Sequence, residues 1–190
     1  MRRALRIFLT LAAGIALGLA TTWATVIRTN RSGDVADGPW RTSLSTGSSQ
    51  GGPYLRAYVA VHGLLALSRA ETIYYNASKD SEGDVLDSHC SYRIEGRDPP
   101  ARWWSITAYG ADDFLIQNPA DRYSVSMNSI ARAADGTFVV TVSKAQAEAN
   151  WIPVTAGRFD LTIRLYNPQT SVAAGPEHPA LPTIKKVACE

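Results

Sequence analysis

Little in the chain belongs to the residue types that most often carry chemistry: among 190 residues there are two cysteines, two methionines and three histidines. Cys90 and Cys189 are too few for a disulfide-dense scaffold or a four-thiolate metal site. The histidines, His62, His89 and His178, stand apart in a helical stretch, at a strand start and in a proline-flanked loop, so no metal is expected. No G-x-S-x-G elbow, H-E-x-x-H pair, C-x-x-C, Walker loop or dinucleotide fingerprint occurs. That removes sequence support for the common hydrolase, zincin, redox and nucleotide-binding classes, and no cofactor is expected. Basic clusters are also lacking. Three of the 19 basic residues and none of the 17 acidic ones precede residue 28, and in the remainder only Lys185 and Lys186 adjoin. Phosphate neutralisation needs clustered positive charge, so nucleic acid is not an expected partner.

What is present begins at the N-terminus. Residues 7–27 hold no charge over 21 positions, enough at about 1.5 Å per helical residue to cross the roughly 30 Å hydrocarbon core of a bilayer. Arg2, Arg3 and Arg6 before this run, against Arg28 and Arg31 after it, favour a cytoplasmic N-terminus. The expectation is a single-pass bacterial inner-membrane anchor over 1–27, touching lipid through 7–27, with the rest of the chain on the periplasmic side. A cleaved signal peptide is the alternative, with small residues such as Gly18 and Ala20 offering a cleavage site; the length of the run favours the anchor. Gly14 and Gly18 stand at G-x-x-x-G spacing, which would allow a weak homodimer through close helix approach.

Residues 28–52 are rich in Gly, Ser, Thr and Asp without apolar periodicity, and predict a flexible linker in which Trp40 is the one sticky side chain, docked on the domain or placed near lipid headgroups. The 53–190 stretch is the size of one domain with a single core. Its first element is a helix over 54–69, with Leu55, Tyr58, Val59 and Leu65 at three- and four-residue steps behind Pro53 and Gly63 as a weak point. From Glu71 the period changes to two. Strands are predicted over 72–77, 88–95, 102–109, 114–117, 122–127, 137–143 and 159–166, joined by turn-forming stretches such as Asp135-Gly136 and Asn118-Pro119. The resulting fold class is mainly β: a jelly-roll-like antiparallel β-sandwich with one helix at its N-terminal end, preceded by one transmembrane helix.

Alternation separates the faces. Phe159, Leu161, Ile163 and Leu165 form a core row, with Asp160, Thr162, Arg164 and Tyr166 opposite. In 102–109 the row opposite Trp104, Ile106 and Ala108 reads Trp103, Ser105, Thr107, Tyr109, and Thr137, Val139, Thr141 and Ser143 repeat the hydroxyl theme. As neighbours such rows would make a concave, hydroxyl-lined surface with aromatic platforms suited to a sugar or other polar small molecule; as a solvated face they would need only the β propensity of Thr.

The segments GPYLRAYVAVHGLLAL, RDPPARWWSITAYGADDFLIQNPADRYSVS, NWIP and FDLTIRLYNP, in that order and spacing, resemble the bacterial family catalogued as domain of unknown function 1214 over roughly residues 53–187. The resemblance implies a jelly-roll β-sandwich. In longer relatives this domain follows a second uncharacterised one, so the chain resembles a short, membrane-anchored form, and no settled activity comes with the family.

Among individual residues, Asp112, Asp113 and Asp121 near Asn118 could hold a cation or act as an acid–base pair, although aspartates at turns more often serve local amides. Arg102, Arg122 and Arg164 lie in predicted strands where a guanidinium could take a carboxylate or phosphate, or carry its charge to water beside an aromatic ring. Trp151 in NWIP is a rim plug or a stacking platform. Cys90 and Cys189 could pair in an oxidising exterior and staple the tail to the sheet, or remain one buried and one frayed thiol. These residues support a non-enzymatic envelope module binding a glycan or other polar small molecule through Trp103, Tyr109, Arg122, Trp151 and Arg164. The alternatives are a saccharide-active enzyme using Asp112 or Asp113 with Asp121, whose carboxyls would have to lie about 5–10 Å apart across a groove, and a protein-interaction scaffold.

Overall fold

In the computed structural model, residues 2–28, 35–43, 45–48, 51–61, 67–147, 149–155, 157–175 and 179–190 are described. Helix α1 (Arg2–Arg28) takes up the uncharged run. Its hydroxyls turn back on its own backbone: Thr10 Oγ1 donates to the Arg6 carbonyl at 2.7 Å, Thr21 to Leu17 at 2.9 Å and Thr25 to Thr21 at 2.8 Å. A polar side chain satisfied within its own helix is compatible with an apolar surround. Over Arg3–Val26 the helix is long and apolar enough to cross a membrane, and its large side chains point outward.

The 28–52 stretch is not all linker. Strands β1 (Val35–Asp37) and β2 (Trp40–Thr42) form a hairpin about Gly38, whose φ of +57° needs glycine's freedom, and β2 joins the sheet at Arg41 opposite Asn76. Trp40 anchors it. The indole is fully buried and donates through Nε1 to the Pro182 carbonyl at 2.7 Å. Three-residue strands are too short to show a period, so one aromatic decides what polarity obscures. Helix α2 (Pro53–Val61) follows, with Leu55 buried; His62, Gly63 and Leu65 of the predicted helix fall outside the described residues.

The remaining elements are β3 (Thr72–Ala77), β4 (Cys90–Gly96), β5 (Ala101–Gly110), β6 (Ser124–Ser126), β7 (Phe138–Ser143), β8 (Trp151–Pro153), β9 (Phe159–Pro168), the short helix α3 (Thr170–Ala174) and β10 (Thr183–Cys189). They make a six-stranded sheet in the order β1-β2-β3-β9-β5-β6 and a four-stranded sheet in the order β10-β4-β7-β8. All the pairings are antiparallel except β7 with β8, so the second sheet is mixed. The 114–117 stretch is not a strand. It closes a turn in which Gly110 N–H donates to the Phe114 carbonyl at 2.9 Å, and only Leu115 bridges back, to Tyr109.

One core lies between the sheets. From the first come registered rows, Ile73–Leu165–Trp104, Tyr75–Ile163–Ile106 and Ala77–Leu161–Ala108; from the second come Tyr92, Ile94, Phe138, Val140, Val142, Ile152 and Ile184. Trp104 stacks on Phe138 across the gap at 5.1 Å, and Tyr92 meets Phe159 edge-on at 5.7 Å. This is the alternation expected of a mainly β sandwich.

Candidate functional site

With one face of the six-stranded sheet turned to the core, period two sends the intervening residues of β3, β9, β5 and β6 outward. Register lines them up: Thr72 beside Tyr166 and Trp103; Tyr74 beside Arg164, Ser105 and Ser126; Asn76 beside Thr162, Thr107 and Ser124; and Asp160 beside Tyr109. Arg164 is the centre of this face. Its guanidinium leans along the sheet, donating from Nη1 to Thr107 Oγ1 at 3.2 Å and from Nη2 to the Tyr109 hydroxyl at 2.6 Å. It also lies 5.3 Å from the Tyr109 ring centroid and 5.9 Å from that of Tyr74, within the range in which an aromatic face attracts a cation.

The surroundings are small hydroxyls under larger rings. Ser105, Thr107 and Thr162 are buried beneath the half-buried side chains of Arg164, Tyr74, Tyr109, Trp103 and Tyr166. Thr162 Oγ1 donates to Asn76 Oδ1 at 2.8 Å, and Trp103 packs on Tyr166 edge-to-face at 5.1 Å. Burial raises the Tyr74 phenol above its ordinary pKa; Tyr166 adds to that and Arg164 opposes it, so the hydroxyl stays protonated at neutral pH. The face therefore offers a fixed cation, hydroxyl groups and aromatic walls, which can stack and hydrogen-bond a ring-shaped polar molecule.

The residues named from sequence divide among three places. Trp103, Tyr109 and Arg164 share this face. Trp151 is on the other sheet, beside Thr141 in β8, buried and donating from Nε1 to the Ser143 carbonyl at 3.1 Å. The Thr141 and Ser143 row thus lies across the core from the Ser105 and Thr107 row; the two are not neighbours. Arg122 belongs to a turn, taking its N–H to Asn118 Oδ1 at 3.2 Å and reaching the Ala149 carbonyl at 3.4 Å. Asp112 Oδ1 accepts from the Phe114 N–H at 3.2 Å, while Asp113 and Asp121 hold φ of 65° and 49°, left-handed turn conformations that aspartate tolerates. Tyr123 is near Asp121, whose carboxylate raises the phenol's pKa. Cys90 and Cys189 are bonded as a disulfide between β4 and β10. His178 lies outside the described residues, and among the described residues no three acidic, His or Cys side chains gather as a metal site.

Tyr74 is the aromatic residue of this face that sequence reasoning misses, together with the polar Thr72, Asn76, Ser124 and Ser126. The alternation Thr72, Tyr74, Asn76 in 72–77 carries its outward placement, but nothing in the string tells that β3 pairs with β9 and brings Tyr74 over Arg164.

Two facing sheets, one outer face of which is lined with hydroxyls and rings around an arginine, define a mainly β, sandwich-type protein. The family model described as "Protein of unknown function (DUF1214)" matches residues 71–170, and the chain belongs to that family. The matched range contains β3, β9, β5 and β6, and with them every residue of the Arg164 face. Among solved structures the chain is similar to the VPA0106 protein from Vibrio parahaemolyticus, with 24% identity and a TM-score of 0.62 over 73% of this chain and 36% of that one. It is also similar to an uncharacterised protein from Burkholderia cenocepacia, with 16% identity and a TM-score of 0.47 over 96% of this chain and 43% of that one. The chain thus spans about a third of the length of the Vibrio protein. No curated protein sequence matches it.

Proposed function

We propose that the protein is a single-pass, inner-membrane module that presents its β-sandwich on the periplasmic side and binds a polar small molecule of sugar size on the outer face of the six-stranded sheet. Anchoring is supported by α1, and orientation by Arg2, Arg3 and Arg6 ahead of it. Binding is supported above all by Arg164, held by hydrogen bonds to Thr107 and Tyr109 and by contacts with the rings of Tyr74 and Tyr109. A side chain with that many rotatable bonds is costly to immobilise on a sheet surface, and here it is set in advance for a ligand. The aspartates at 112, 113 and 121 serve turns, and no observation favours an acid–base pair.

The experiment is a titration of the full chain in detergent with neutral and acidic monosaccharides, followed by tryptophan emission. Binding should saturate, and Trp103→Ala should abolish the response while Val187→Ser, on the exposed side of β10, leaves it intact. A response indifferent to Trp103 would remove the face from consideration.

A further inference from the structure

We infer that the molecule taken by this face carries a carboxylate, which Arg164 receives; the inference rests on the small-molecule reading above and names the chemical class of its ligand. Several cations of the domain are matched with acids: Arg132 grips Asp98 at 2.8 Å, Arg93 meets Glu95 at 3.2 Å, Lys185 meets Glu95 at 2.7 Å, and Lys186 pairs with Asp84, while Arg122 is exposed and reaches a backbone carbonyl. Arg164 differs. Among the described residues no acidic side chain is within ion-pairing distance of it, and its hydrogen-bond partners are the neutral hydroxyls of Thr107 and Tyr109.

Those partners matter because of the direction of the bonds. A guanidinium only donates, so the oxygens of Thr107 and Tyr109 accept, and each hydroxyl keeps its own proton to give away. Arginine has five N–H donors and two are used here. The centre of the face is consequently an array of donors around a half-buried positive charge. An anion with two oxygens in one plane fits such an array better than a neutral hydroxyl does, since charge-assisted, forked bonds to a guanidinium are the stronger kind. The cation sits partly out of water, where its attraction for an anion is less screened than on an open surface. Trp103 and Tyr166, one register row along β5 and β9, give apolar walls against which the ring bearing the carboxylate can lie.

The test uses matched probes that differ in one group: D-glucuronate against D-glucose, titrated into the full chain in detergent at low salt. Glucuronate should bind at least about tenfold more tightly than glucose, and added salt should erode the difference. Arg164→Gln should lose the preference for the acid, while Arg164→Lys keeps part of it; unchanged melting temperatures confirm that both variants fold. Should Arg164→Gln fail to fold, Tyr109→Phe is the second variant, expected to narrow the preference for glucuronate over glucose several-fold. Equal affinity for both sugars, or a preference that survives Arg164→Gln, overturns the carboxylate assignment and leaves the small-molecule reading standing. No saturable response to either sugar up to about 10 mM overturns both.

Discussion

At the scale of single residues, two side chains show how the molecule satisfies its buried polar groups. Asn150 accepts from the Ala131 N–H at 2.7 Å and donates to the carbonyls of Ala131 and Val139 at 2.8 and 2.9 Å, stitching the loop before β7 to the strand pair it precedes. Asn150→Ala would strand these backbone groups and should cost about 1–3 kcal/mol in a urea melt. Trp40 works similarly with Pro182. Removing the indole N–H in Trp40→Phe leaves that carbonyl unpaired and should cost about 1–3 kcal/mol, while Trp40→Ala adds a cavity and should reach about 3–5 kcal/mol. Gly96 belongs to the same knot, because a Cβ there would come within 2.7 Å of the Pro182 side chain. None of these contacts is visible in a string of letters: Trp40 and Pro182 are 142 residues apart, and only the fold makes them partners.

Elements differ in how openly the sequence declares them. The strands 72–77 and 159–168 alternate over six or more residues and are legible because the core face of each is apolar and the other face is largely polar or aromatic with hydroxyls. Strand β10 is not, since Ile184 is its one buried residue and Lys185 and Lys186 interrupt any apolar row. Its attachment depends instead on pairing, charge and a covalent bond to β4. The Cys90–Cys189 link closes a loop of 99 residues, for which restriction of the unfolded chain amounts to about 4–5 kcal/mol. Reduction should therefore destabilise the domain by about 2–5 kcal/mol and expose the β10 amides to hydrogen exchange before those of β9. The ion pairs give this strand a pH window. Hydrogen bonds from Lys185 and Lys186 hold Glu95 and Asp84 below their ordinary values of 4.5 and 3.8, so the stabilisation is present at neutral pH and is lost as pH falls through the lowered values. Lys186 is raised above 10.5 chiefly by its bond to Asp84, so its share is present below that pH and fades as the pH climbs past it. Amide exchange in β10 should thus be slowest between about pH 5 and 10 and quicken on either side, beyond its intrinsic pH dependence.

For the whole molecule, a mainly β sandwich behind an apolar helix follows from periodicity and composition, because burial imposes both. The candidate face is only half legible. Alternation names Trp103, Thr107, Tyr109 and Arg164, yet it cannot say which sheet a row joins, and this is why Trp151 and the Thr141 row fall on the far side of the core. If α1 holds the chain in a bilayer, the full-length protein should stay with membranes through alkaline carbonate washing and a chain lacking residues 2–28 should not. The hairpin that replaces much of the expected linker then sets a leash. From Arg28 to Val35 there are seven peptide steps, and at no more than about 3.6 Å each they reach roughly 25 Å at full stretch. With α1 in a bilayer, the first strand of the sandwich would be confined to a layer about that thick above the membrane, with a search volume far smaller than a 25-residue tether would sweep. If the domain is anchored and binds as proposed, its ligand would have to reach that layer or already be moored there.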